Sequence, residues 1–116
     1  MRHTMILVMM SILFVSGLAQ EPAKVGPSIY KQKLTNDRVR VFEINFKPGA
    51  KIGMHAHPDH VVYVVQGGTL KIVEGTKAPV TMNLKPGDTV FLPAQKHWAQ
   101  NVGKTHIKAV VVEIKK

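Results

Sequence analysis

Three of the chain's six histidines crowd into the stretch Gly49-Ala-Lys-Ile-Gly-Met-His55-Ala-His57-Pro-Asp-His60. If this segment is extended, side chains repeat every second residue, so His55 and His57 stand side by side on one face. Neutral imidazole is the commonest metal ligand in proteins, and two at this spacing can reach one ion without bending the backbone. Two solvent-exposed histidines beside a turn would leave the same local pattern. What separates the two readings is which other elements of the chain face this strand.

At 116 residues the chain has room for one domain around one hydrophobic core. Residues 1–19 read as an export signal: Arg2 and His3 give a positive start, residues 5–15 are nearly all apolar, and Gly17 and Ala19 are small residues at a cleavage site. The apolar run is shorter than the ~20 residues of a membrane-spanning helix, so the expectation is a chain starting at Gln20, exported to the periplasm or secreted, without stable membrane insertion. There is no cysteine, which excludes lipid attachment at a cleaved-signal cysteine, disulfides and thiolate metal sites. The exported domain must therefore stand on its core. The formal net charge of +9 favours acidic ligands, anionic polymers or a membrane surface, or serves only solubility. Its lysines are scattered, no run resembles a basic arm or a recognition helix, and few aromatics are available to stack on bases. That distribution argues against nucleic-acid binding.

The elements that must position the histidines read as strands. Residues 20–27, with Pro22 and Pro27, are expected to form a loose arm, and 28–34 a possible first strand ending at the turn signal Asn36-Asp37. Residues 38–46 alternate and are rich in β-branched and aromatic side chains. Further extended runs cover 51–57, 60–66, 69–74, 80–84, 89–92, 97–101 and 106–114, separated by residues that favour turns. No segment after residue 19 has a persuasive helical period, so the pattern predicts an all-β sandwich or barrel. Phe46-Lys47-Pro48-Gly49 is echoed by Leu84-Lys85-Pro86-Gly87, a near-repeat that two Greek keys of one jelly roll would produce. On the 60–66 strand, Val62 and Val64 share the face of residue 60 while Val61, Tyr63 and Val65 face away; on the next histidine strand, Ala99 and Asn101 share the face of His97 and Trp98 opposes them.

Two spaced motifs make the pattern specific. Gly49, His55, His57 and Gly67 or Gly68 fit one; Gly87, Pro93, His97 and Asn101 fit the other, with one residue fewer than usual between Pro93 and His97. The chain resembles a small single-domain cupin of the RmlC-like jelly-roll superfamily. The resemblance implies a double-stranded β-helix barrel over 38–116, preceded by an arm and possible first strand over 20–37. It also implies an interior divalent transition metal held by His55, His57, His97 and a glutamate of the first motif. That glutamate is missing: its place falls on His60 or Val61, and Glu43, Glu74 and Glu113 are too distant along the chain to replace it by register.

Three sites remain open: three histidines with water or substrate, a four-histidine site using His60, or one that Asp59 reaches. The first is favoured, because Pro58-Asp59 puts His60 at the very start of its strand, where it could point to solvent. An all-imidazole site suits Fe, Zn, Ni or Cu over Mg, Ca or Mn, and the loss of one carboxylate favours an anionic ligand. His106 matches no motif position and is expected at the surface; Gln95 replaces a usual glycine, which leaves its turn in question. The fold does not specify one activity. The expectation is an exported metal-binding cupin that binds or acts on a small anionic metabolite; a non-catalytic ligand- or metal-binding module and an empty interaction barrel are the other readings. Small cupins commonly pair through sheet faces or exchanged N-terminal strands, which implies a homodimer.

Overall fold

Alternation of apolar and polar side chains, punctuated by glycine and proline, produces nine strands among residues 20–116, the part of the chain that the computed structural model describes. The export signal expected over 1–19 lies outside the described residues. The strands are β1 (Tyr30–Thr35), β2 (Val39–Phe46), β3 (Lys51–His57), β4 (His60–Gln66), β5 (Gly68–Glu74), β6 (Val80–Leu84), β7 (Thr89–Leu92), β8 (Gln95–Asn101) and β9 (Ile107–Ile114). They form a five-stranded sheet in the order β1-β2-β9-β4-β7 and a four-stranded sheet in the order β3-β8-β5-β6. Their pairings are antiparallel.

The core lies between the two sheets. From β2 come Phe42, Ile44 and Phe46, from β9 Ile107, Ala109 and Val111, and these face Ile52 of β3 and Ala99 of β8. Opposite residues in the ladder share a face, so Phe42 meets Val111 and Ile44 meets Ala109. Complete burial of a phenylalanine such as Phe42 stabilises the fold by about 1.5–3 kcal/mol. The same alternation turns Tyr63, Val65 and Phe91 outward, as expected for the outer face of the sheet.

The two Pro-Gly echoes adopt one turn. Gly49 and Gly87 have φ of 83° and 88°, and Ala50 and Asp88 donate back to the carbonyls of Lys47 and Lys85 at 2.9 and 3.0 Å. Proline at the second position and a positive φ at the third define a type II turn, for which glycine is the natural third residue.

The N-terminal arm differs from expectation. Pro22–Val25 forms a one-turn helix, α1, and Pro22 is buried. Proline suits the first turn of a helix because its missing N–H has no intrahelical partner there. The arm is tied down: Ala56 N–H donates to the Gln20 carbonyl at 2.9 Å, and Arg40 pairs with Glu21 at 3.0 Å. No helix among the described residues is long and apolar enough to cross a membrane.

Candidate metal centre

β3 carries His55 and His57, and its neighbour β8 sets His97 directly opposite His55. Strict alternation alone would fail here, because Ile52 and His55 are three residues apart and would face opposite ways. Both are nevertheless buried, at 1% and 0% exposure. The register between β3 and β8 shifts between Ile52 and His55: Ile52 pairs with Ala99 and His55 with His97, so Gly53 and Met54 oppose Trp98 alone. This is a β-bulge, which re-aims the side chains that follow it. The bulge also grips the ring, because the Gly53 carbonyl accepts from His55 Nδ1 at 2.7 Å.

One ring nitrogen from each of His55, His57 and His97 lies within 4.8 Å of the others, and all three residues are buried. Zinc–imidazole bonds of ~2.0–2.1 Å allow two nitrogens on one ion to be about 4.2 Å apart at most, so the group stands within a small side-chain adjustment of coordination. His60 is buried as well, at 2% exposure, which corrects the expectation that it could point to solvent. As the first residue of β4 it begins the inward row continued by Val62 and Val64. Its ring stacks on His57, with centroids 4.4 Å apart, and stands 6.4 Å from that of His97. Asp59 faces elsewhere, accepting from Ala94 N–H at 2.8 Å and pairing with Lys116 at 3.3 Å. Both partners hold its carboxyl below the usual range.

The residue that sequence separation hides is Glu113. Chain distance is a poor measure in an antiparallel sheet: β9 runs between β2 and β4, so Glu113 pairs with Arg40 on one side and His60 on the other. Its carboxylate, 1% exposed, accepts from His57 Nδ1 at 2.6 Å and from Arg40 at 2.7 and 3.0 Å. Burial pushes its pKa up, but the His57 N–H and the Arg40 guanidinium outweigh this and hold it low. Arg40 is likewise penalised by burial and held cationic by Glu113 and Glu21. A lone acid at the end of the apolar inward row Ile107, Ala109, Val111 was the available sequence signal.

Each of the four rings has its Nδ1 engaged by an oxygen. Gly53 O holds His55, Glu113 holds His57, Pro58 O holds His60 at 2.8 Å and the Gln95 side-chain oxygen holds His97 at 2.8 Å. In the neutral ring this places the proton on Nδ1 and leaves the lone pair on Nε2, the form a metal requires. Gln95 therefore supplies a ring partner that a glycine could not. His55 Nε2 is buried without a hydrogen-bond partner among the described residues, and buried polar atoms are rarely left so. Burial first, and then the neighbouring imidazoles, lower the pKa of His55 to about 4 and of His97 to about 3; the same causes lower that of His60. These rings stay neutral at physiological pH.

Beside the cluster is a small cavity of about 50 Å³ whose lining includes Tyr30, His60, His97, Val62, Leu70 and Ile72. It is a mostly apolar recess with few polar groups. The other candidates are structural. Asn101 is fully buried, donates to the carbonyls of Phe46 and Thr105 at 3.1 and 2.8 Å, and accepts from Gly103 N–H, closing the end of β8. Trp98 lies under the ammonium groups of Lys51 and Lys71 on the outer side of its sheet. His106 is half-buried and bonds to Asn45.

Comparison with known proteins agrees with this architecture. The cupin-domain family profile matches residues 42–113. A cupin domain from Bordetella pertussis Tohama I is 33% identical, over 76% of this chain and 93% of that one, with a TM-score of 0.70. A conserved protein with a double-stranded β-helix domain from Klebsiella pneumoniae subsp. pneumoniae MGH 78578 is 25% identical, over 74% and 70% of the two chains, with a TM-score of 0.61. An RmlC-like cupin from Methanocaldococcus jannaschii shares the fold at 15% identity, over 75% and 79%, with a TM-score of 0.61. No curated protein matches the chain. With both histidine motifs inside the matched region and the double-stranded β-helix around them, the chain belongs to the cupin family.

Proposed function

We propose that the protein is an exported metal-binding cupin that binds or acts on a small anionic metabolite through His55, His57 and His97. The observation that carries this reading is the convergence of three buried imidazoles, one of which has an Nε2 without a partner among the described residues. The donor set fits Fe, Zn, Ni or Cu. When bound, such an ion supplies Lewis acidity toward a carbonyl or enol, or, as Fe(II), oxygen chemistry. The chain's own part is to keep His55 and His97 neutral by burial, to orient His57 through Glu113 and Arg40, and to surround the site with apolar walls. A metal-bound imidazole is neutral and Glu113 is matched by Arg40, so a divalent ion would leave the site cationic, which favours an anion. Elemental analysis of the protein, with uptake lost in His55→Ala, His57→Ala and His97→Ala, tests the reading; metal content independent of these residues would refute it.

A non-catalytic binding module is the second reading, favoured by the scarcity of acid–base groups in the recess. Turnover of diketones, thiols or hydroxy acids with Fe(II) and oxygen supports an enzyme. Ligand-induced melting shifts without turnover support the module.

The export assignment rests on residues 1–19 of the sequence. A homodimer is supported by the outer face of the five-stranded sheet. There Val61 lies opposite Phe91 and Val112, and Tyr63 opposite Val110, with Tyr63 and Phe91 about half exposed at 49% and 57%. Sedimentation of the wild type as a dimer and of Phe91→Glu as a monomer is expected, and a monomeric wild type at micromolar concentration would contradict it.

A further inference from the structure

Tyr30 belongs to the first strand, outside both histidine motifs, yet its hydroxyl lies 3.2 Å from His57 Nε2. The direction of that hydrogen bond follows from the other side of the ring. Glu113 is an ionised acceptor paired with Arg40, so in the neutral ring, the form that can take a metal, His57 Nδ1 carries the proton and Nε2 the lone pair. In that form Tyr30 is the donor. A single lone pair can serve the tyrosine or a metal ion, but not both.

The ring cannot swing away when that bond is lost. Tyr30 is 6% exposed, packs edge-on to Phe42 at 5.5 Å, and lies 5.6 Å from the rings of both His55 and His57. Its backbone is held by donation to the Gly26 carbonyl at 2.9 Å and by pairing with Ile44. The displaced hydroxyl would remain buried beside the metal site, and a buried donor without an acceptor is strongly unfavourable. Tyr30 also lines the recess shared by His60 and His97, the space beside the cluster open to a small ligand.

We propose that Tyr30 determines ligand specificity: its hydroxyl occupies His57 Nε2 in the metal-free protein and, once a metal takes that nitrogen, donates to a small anion entering the recess. This rests on the three-histidine reading and sharpens it. The recess and its single hydroxyl donor fit a compact anion with an exposed lone pair, such as a carboxylate or enolate end.

The test uses the full chain loaded with Co(II), with azide as the anionic probe, comparing wild type with Tyr30→Phe. Tyr30→Phe keeps the ring and its packing, and its melting temperature checks the fold. Azide affinity, read from the Co(II) absorption spectrum, is expected to fall about tenfold, because the anion supplies a charged acceptor to a buried hydroxyl that the metal has deprived of one. Co(II) affinity is expected to be retained or to rise, since phenylalanine removes the hydroxyl that competes with the metal for His57 Nε2. Equal azide affinity in the two proteins would overturn the inference alone. So would a phenolate charge-transfer band in the Fe(III)-loaded wild type that vanishes in Tyr30→Phe, which would make Tyr30 a ligand. Failure of the wild type to bind Co(II) would instead remove the metal reading beneath it.

Discussion

The β2–β9 pair and the β3–β8 pair supply opposite halves of the site by opposite means. β2 and β9 stay in register from Val39 opposite Ile114 to Phe46 opposite Ile107, without a break. That regularity delivers a continuous apolar row and, at its end, Arg40 and Glu113. β3 and β8 carry the three clustered histidines, and they gather them while keeping Ile52 in the core only because the register breaks after Ile52. The regular pair supplies stability and orientation; the irregular pair supplies the candidate ligands. An unbroken β3 could bury Ile52 or His55, but not both, so the bulge is what lets one strand serve the core and the site.

Deleting Gly53 and Met54 together breaks the comparison most severely. His55 would then follow Ile52 directly, so with Ile52 kept in the core, alternation turns His55 and His57 away from His97. Metal uptake is expected to vanish while circular dichroism still reports a β protein, whereas deletion of Met54 alone leaves His55 two residues after Ile52, on the same face, and is expected to keep uptake. Retained uptake in the double deletion would show that strand parity does not aim the rings. Phe42→Ala tests the other pair: a stability loss of about 3–5 kcal/mol in urea unfolding is expected from the cavity left behind, with metal stoichiometry unchanged in the folded fraction.

Glu113→Gln lies at the junction of the two halves. Metal affinity should weaken by about 10–100-fold, the usual cost of losing a carboxylate behind a ligating histidine. Isothermal titration with Zn(II) measures it, and an unchanged affinity would reduce Glu113 to a structural partner of Arg40.

The smallest effect is a pH dependence of the metal-free protein. His55 at about 4 and His97 at about 3 lie below their ordinary 6.5, so the unfolded chain binds more protons through the acid range. Their contribution is present above pH 6.5 and is lost as pH falls through those values. The lowered Glu113 acts in the same direction, with its contribution lost below the ordinary carboxylate range. Melting temperature should therefore rise from pH 4 to pH 7, and a flat profile would contradict the burial of these rings.

Alternation and turn chemistry made most strand positions legible, and motif spacing joined His97 to His55 and His57 across forty residues. What escaped depended on three-dimensional register. The bulge at Gly53-Met54 lies inside an apparently regular run, and Glu113 becomes a neighbour of His57 only once β9 pairs with both β2 and β4. His60 was ambiguous because the turn before it is local, whereas its burial follows from the whole inward row of β4. The helix α1 is one turn long, too short for a period, and is held by contacts with β3 and Arg40 rather than by its own propensity.

The central claim is that three imidazoles separated in sequence form one metal centre. Elemental analysis of the protein purified from its own compartment, beside His97→Ala prepared identically, tests it most directly. The expected result is one transition-metal ion per wild-type chain and none in the variant. A metal-free wild type, or equal metal in the two proteins, would contradict it.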